Sequence, residues 1–598
     1  MFRKHLVGVA VAVYAVCVAP CAVAGATPNA AERLNALVDR YFEEQLKLQP
    51  VGATYIGDHR YDDKFTNSIS PKFVAESERR ERRYLKALER IDPTALAGTD
   101  RITYDVFKYD RESALAGVPY PGELLPIDQF NNPVATFAVL GSGSSAQPFA
   151  TVEDYEKFLK RSDEFLVFLD QAIVNMRLGI GKGVVEPRIV MQKVLPQLQD
   201  LATPKVEDSI FYGPIKALPE KKFPAADNER LTAAYQREIT EKLNPALTRL
   251  ATFVRDEYLP HCRDSVGWSA LPNGKTWYDY TLRIFTTTNM SAEEIHQLGL
   301  SEVARIRAEM EDVKRQVGFD GDLHAFFKHV QTDPALRFKS EQEALDEFRA
   351  TKAKVASRLP ALFQDFPKAD YEIKSVEAFR AASSAGAFYE PASEDGSRPG
   401  VFYLNTSDLS RIPRYEMETL SLHEADPGHH FQLTIAQELK GIPRYRRYAG
   451  GSVYWEGWAL YSESIGKELG MFTDPYQYYG RLSDEMLRAM RLVVDTGMHA
   501  KGWTREQAIA YMLDNSSISE PEVVAEVERY IAWPGQATSY KVGQLRIRAM
   551  RDRAEKALGS KFDVREFHSQ ILRDGALPMD VLDAKIDRWI AARSAASP

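Results

Sequence analysis

Helical periodicity constrains this chain more than any other feature. Ala30–Lys47, Pro71–Arg90, Asp154–Leu178, Asp227–Tyr258, Ser291–Val317 and Ser340–Arg358 all place apolar residues three and four apart with charge between them. Start signals support several of them, such as Ser291 followed by Glu293 and Glu294. Strand-like runs are few and short: Ser209–Tyr212, Thr281–Thr287, Tyr371–Val376 and Val401–Asn405. Thr203–Asn228 and Ala382–Gly400 are rich in Pro, Gly, Ser and Asp and read as loops. A mainly α protein with a small β-sheet follows. Its 598 residues suffice for two packed lobes around a central cleft. The predicted division is an N-terminal helical lobe over 25–290 and a C-terminal lobe over 291–598, at a soft boundary with no linker to mark it.

The N-terminus reads as an address. Arg3 and Lys4 precede an apolar run from Leu6 to Ala19, and Ala22-Val23-Ala24 supplies a small-x-small cleavage pattern. The run is shorter than the roughly 20 residues a membrane span needs. A signal peptide over 1–24, export to the periplasm or medium, and no stable membrane insertion after cleavage are therefore expected. A lipid-modified cysteine is not, because Val16 and Pro20 precede Cys17 and Cys21 where a small residue belongs. Cleavage leaves Cys262 alone, so the mature chain has no internal disulfide and relies on its core. A net charge of −8 argues against a nucleic-acid partner.

The chemistry concentrates in His423-Glu424-Ala425-Asp426-Pro427-Gly428-His429-His430. A His followed by Glu on a helix, with a second His beyond, is the pattern by which helical zinc hydrolases hold a metal and set a general base beside the water it activates. The usual spacing between the histidines is four, one helical turn. Here it is six or seven, and seven residues of unbroken helix rise about 10.5 Å, too far for two rings to reach one ion. Asp426-Pro427-Gly428 is turn chemistry, however. If all three residues loop out, His430 takes the second ligand place; if only Asp426 and Pro427 do, His429 takes it. The choice leans to His430 and stays open. Glu456, in Trp455-Glu456-Gly457-Trp458, is the expected third ligand, brought back by an antiparallel helix. Glu463, two turns further on the same face, is either an alternative ligand or a carboxylate that orients one.

Five ordered motifs carry a resemblance. They are His423 to His430, Glu456-Gly457-Trp458-Ala459-Leu460-Tyr461, Asp495-Thr496-Gly497-Met498-His499 with Gly502-Trp503, Pro534 to Gly543, and Asp395 to Thr406. Together they resemble the bacterial family called domain of unknown function 885. It is grouped with the gluzincin metallopeptidases, which include angiotensin-converting enzyme, thimet-type oligopeptidases and helical carboxypeptidases. The chain departs from those relatives, which have His-Glu-x-x-His, by the residues inserted between its histidines, and from many members of the family by Asp426 where an aromatic residue such as Tyr is expected.

The resemblance implies a two-lobed helical metallopeptidase-like fold, one Zn2+ per chain and a short peptide as substrate. Glu424 is then the general base, and Tyr540 a hydrogen-bond donor to the oxyanion. His499 is a candidate for touching substrate or orienting a ligand. Val401–Asn405, with Tyr403, is a candidate edge strand for an extended peptide. Arg398 and Lys541 could pair a substrate carboxylate. Two other readings keep the fold: an exported metal hydrolase for a non-peptide ester or amide, and an inactive binding or scaffold protein. Oligomeric state, side-chain specificity and exo- or endopeptidase action are not encoded in these motifs.

Overall fold

The computed structural model describes residues 29–377, 385–392 and 399–595. The predicted signal peptide, Arg398 and the glycine-serine stretch before it lie outside those residues. The protein is mainly helical with a small three-stranded mixed sheet. The six predicted helices form within a few residues of their predicted bounds, because each buries one apolar face. That over Asp227–Tyr258 runs with two π-helical turns, Glu238–Leu243 and Val254–Tyr258. The helix α1 (Ala292–Gln316) opens on a capping box in which Ser291 and Glu294 satisfy each other's backbone N–H groups.

Two of the four predicted strands are not strands. Ile210–Tyr212 is a single 3-10 turn. Thr281–Thr287 falls largely within a helix, Gly274–Thr286, whose Trp277, Tyr278, Thr281 and Leu282 are buried at helical spacing. The β-branched and aromatic content suggested a strand, and tertiary burial of that face decided otherwise.

In the sheet, β1 (Tyr371–Ser375), β2 (Ala387–Glu390) and β3 (Gly400–Leu404) are ordered β1-β3-β2. β1 runs parallel to β3 with Tyr371 opposite Gly400, and β2 runs antiparallel with Ala387 opposite Leu404. β3 is thus the centre of the sheet, buried along its whole length. The expected edge strand is not an edge. β2, which lies inside a stretch expected to be loop, is one of the two true edges.

Two principal apolar cores each draw on residues from both sides of position 290. A smaller core joins Phe402 and Leu404 of β3 and Tyr371 and Ile373 of β1 to Ala425, so the sheet buttresses the histidine segment directly.

Candidate metal centre

Six further helices build the site: α2 (Met417–Glu424), α3 (His429–Glu438), α4 (Ser452–Ser464), α5 (Pro475–Lys501), α6 (Glu520–Ala532) and α7 (Ser539–Leu558). α2 stops at Glu424, and α3 restarts at His429 after a cis Asp426–Pro427 bond. The indole Nε1–H of Trp458 donates to the Pro427 carbonyl at 2.7 Å, and the Ser462 hydroxyl donates to the same oxygen at 3.3 Å. Both donors come from α4, so the helix that brings the third ligand also holds the turn. Gly428 is required by space: a Cβ there would lie 1.9 Å from the His423 carbonyl oxygen and 2.4 Å from that of Leu422.

The turn delivers His429, not His430, to His423. The two rings meet edge to face with centroids 4.8 Å apart. Each presents Nε2 to the same Glu456 oxygen, at 3.6 Å from His423 and 3.5 Å from His429. Those separations are long for hydrogen bonds. They match the spacing of about 3.4 Å between two ligand atoms on one tetrahedral zinc with bonds of 2.0–2.1 Å. Ligand atoms of His423, His429 and Glu456 all lie within 4.8 Å of one another, a group able to hold a metal ion. Nitrogen, nitrogen and carboxylate oxygen is a donor set that suits zinc.

His430 has other work. Its Nδ1 is 2.9 Å from the Tyr389 hydroxyl and 3.3 Å from that of Thr434, and its ring packs on Tyr371 at 4.6 Å. Burial pushes its imidazole down to about 4, so it is a neutral ring that ties α3 to the sheet. The lean toward His430 is corrected here. Deleting Asp426 and Pro427, without Gly428, restores the turn-long spacing, because Gly428 packs under the end of α2.

Glu463 supplies the outer support. Its Oε1 lies 2.6 Å from Nδ1 of His423, which fixes the proton on Nδ1 and leaves the Nε2 lone pair for a metal. Burial disfavours a charged His423 ring, but the Glu456 and Glu463 carboxylates outweigh it and hold the imidazole up at about 10. Burial also opposes charge on Glu456, yet His423 and His429 pull its carboxyl well below the usual range. Such mutual stabilisation is what a cluster arranged for a cation shows when protons carry the positive charge. Glu424, next to His423, is pushed up by burial, with His423 and His429 opposing.

Glycine sets how closely α4 and α7 approach. A Cβ on Gly457 would lie 2.6 Å from the Gly543 Cα, and one on Gly543 would lie 2.1 Å from the Val453 carbonyl oxygen. This crossing seats Glu456 beside one end of α7 and places Tyr540 one turn before it. Asp495 on α5 locks the start of α7 by accepting the Gly535 N–H at 3.1 Å on both carboxylate oxygens. The Asp-Thr-Gly and Pro-Gly motifs are therefore one scaffold.

The remaining predicted residues separate. Tyr540 is nearly buried, with the Arg491 guanidinium 4.4 Å over its ring and Arg529 Nη2 3.4 Å from its hydroxyl. His499 touches no open site: it is fully buried, accepts the Trp268 N–H at 3.1 Å and pairs with the Tyr530 carbonyl at 3.0 Å. Its expected contact with substrate is withdrawn, since both ring nitrogens are spent on backbone. Tyr403 lies on the central strand, stacked on Phe388 at 5.2 Å, and a central strand has no free edge for a peptide. Lys541 is fully buried against Glu485, Gln544 and Glu302 at 2.5, 2.7 and 2.9 Å, so it is an internal strut. Sequence reasoning missed the two arginines against Tyr540, Arg491 on α5 and Arg529 on α6.

Two solved structures resemble the whole molecule. One is the crystal structure of a "putative lipoprotein" from Colwellia psychrerythraea, 27% identical, covering 95% of this chain and 100% of that one, with a TM-score of 0.86. The other is a "putative lipoprotein of unknown function" from Shewanella oneidensis, 17% identical, covering 93% and 99%, with a TM-score of 0.75, a likeness of fold. No functionally curated protein matches. The model of a family described as bacterial protein of unknown function, DUF885, matches residues 50–586, and the chain belongs to that family.

Proposed function

We propose that this protein is an exported zinc-dependent metallopeptidase acting on short peptides. One observation carries the reading: two histidines and a glutamate converge at metal-ligand spacing beside Glu424, with Glu463 orienting one histidine from behind. His423, His429 and Glu456 would hold the ion. Bound zinc supplies Lewis acidity toward the scissile carbonyl and brings the pKa of water near 7. Glu424 takes the proton from the attacking water and passes it to the leaving amine, and its raised affinity for a proton suits that exchange. Tyr540 donates its phenol hydrogen to the oxyanion, with Arg529 beside the hydroxyl. Export is supported by the N-terminal pattern and by the likeness to two proteins described as putative lipoproteins. No helix among the described residues is long and apolar enough to cross a membrane.

The test is metal analysis joined to a quenched peptide library. Purified protein is expected to carry about one zinc per chain and to lose cleavage on chelation. Glu424→Gln should keep the metal and lower kcat by roughly 10²–10⁴-fold. A folded protein that takes up no zinc would overturn the reading. So would a zinc-loaded one that cleaves esters or non-peptide amides but no peptide.

A further inference from the structure

A cavity of about 180 Å³ lies where the helix Gly98–Ala116 meets the start of α4. Asp110 and Ser113 of that helix line it together with Gly450, Gly451 and Val453. Much of the remaining wall is apolar, through Val106, Ile284 and Leu577. Among the described residues, Asp110 is the one charged group in this wall. One of its carboxylate oxygens accepts the Tyr445 hydroxyl, and the other accepts no bond from the described residues. The nearest basic side chains stand outside the wall and are engaged elsewhere. Arg111 pairs with Glu81, and Arg446 donates to the Thr103 hydroxyl at 3.3 Å and to the Asp574 carbonyl at 2.5 Å. Burial outweighs both arginines and holds the Asp110 carboxyl up at about 6. A half-buried carboxylate facing an apolar cavity is short of donors and of opposite charge. An ammonium group supplies both, with three N–H donors on one compact cation.

The cavity adjoins the metal centre through α4 itself. Gly451 and Val453 line the cavity, and Glu456 follows Val453 by three residues, less than one turn. The loop before α4 is packed on the residue next to Glu456: a Cβ on Gly450 would lie 2.6 Å from the Trp455 ring. Ser452 is tied to the Tyr540 side of the site as well. Gln536 donates to its hydroxyl at 3.5 Å and accepts Arg529 Nη2 at 2.6 Å, the same nitrogen that lies 3.4 Å from the Tyr540 hydroxyl. From Gly451 to Glu456 the helix rises about 7.5 Å, a length that an extended peptide covers in about two residues.

We infer that Asp110 binds the free N-terminal ammonium group of the substrate, so that the peptide is cut within its first two residues. The inference rests on the peptidase reading and narrows it to peptides with an unblocked N-terminus. The size and the largely apolar wall of the cavity suit a small first side chain such as that of alanine.

Matched short peptides beginning with a free or an acetylated alanine distinguish the possibilities on the zinc-loaded enzyme. The free form is expected to be cleaved with a kcat/KM about 10–100-fold higher, the range that one hydrogen-bonded charge supplies. In Asp110→Asn that ratio should collapse toward one. Gly451→Leu leaves Asp110 in place and adds bulk to the cavity wall at a position where a Cβ meets nothing within 4 Å. It should shrink the ratio too, and it guards against misfolding of the first variant. Equal cleavage of the two peptides by native enzyme, or a ratio that survives in a folded Asp110→Asn, would overturn the ammonium inference and leave the peptidase reading standing. If neither peptide is cleaved, calorimetric binding of the same pair decides. Tighter binding of the free form, lost in Asp110→Asn, supports an ammonium site, and equal binding removes it.

Discussion

At the scale of single residues, the metal centre depends on which histidine follows the turn. His429→Ala removes one of the three proposed ligands and should abolish stoichiometric zinc binding. His430→Ala should keep zinc, although it loses the Tyr389 bond and some stability. Zinc content of the two purified variants, beside their circular dichroism, checks this, and the reverse outcome would return His430 to the ligand set. Glu463→Gln should weaken zinc affinity by about 10–100-fold without removing a ligand, because the amide supports His423 less strongly than a carboxylate does. The sequence carried His423, Glu424 and Glu456 legibly, since residue type and spacing state their chemistry. It could not choose between adjacent histidines. That choice turns on whether Gly428 loops out or packs under the carbonyls of Leu422 and His423, a matter of tertiary space rather than of pattern.

At the scale of elements, the site is positioned by helix contacts that side-chain chemistry alone does not announce. Gly457 and Gly543 read in sequence as helix-weakening residues, yet they are where α4 and α7 touch backbone to backbone. Gly457→Ala puts a methyl group against main chain that cannot swing aside, and should destabilise the protein by about 3 kcal/mol. Because Glu456 is the preceding residue, zinc affinity should fall in parallel. Denaturant unfolding and zinc titration of the same variant check both, and a fully stable Gly457→Ala would show that the crossing tolerates separation. Periodicity found the amphipathic helices well, and it misjudged Thr281–Thr287 because β-branched residues on a buried helical face resemble a strand. It placed β1 and β3 correctly and missed β2. Whether a strand is central or at an edge depends on β2, a short segment set in a Pro- and Gly-rich stretch that carries no alternation of its own.

At the scale of the whole molecule, buried titratable groups shape stability from both sides of neutrality. His499 and His568 are fully buried, and burial pushes both rings down to about 3. His568 is locked by the Leu362 carbonyl at 2.8 Å and the Tyr461 hydroxyl at 2.9 Å. Both rings are neutral in the fold and protonate near 6.5 when unfolded, so the unfolded chain holds more protons between those values. Their stabilisation is complete above about 6.5 and is lost as pH falls toward about 3, on the order of 5 kcal/mol per ring over the full window. Asp495, held up at about 7 by burial, has the opposite sign: its contribution is present below the ordinary carboxyl value of about 4 and is lost as pH rises to about 7. The urea midpoint should therefore decline on the acid side through the histidines together with Glu485 and Glu526, whose carboxyls are held well below the usual range, against burial, by the basic side chains beside them. His568→Gln is expected to flatten the slope of stability against pH between about 3 and 6.5 by close to one proton, whatever its effect on absolute stability. Asp495→Asn should flatten the opposing slope between about 4 and 7 in the same way. Reading slopes rather than midpoints separates the titration from the packing each substitution disturbs, and an unchanged acid slope in His568→Gln would mean that ring is protonated in the fold.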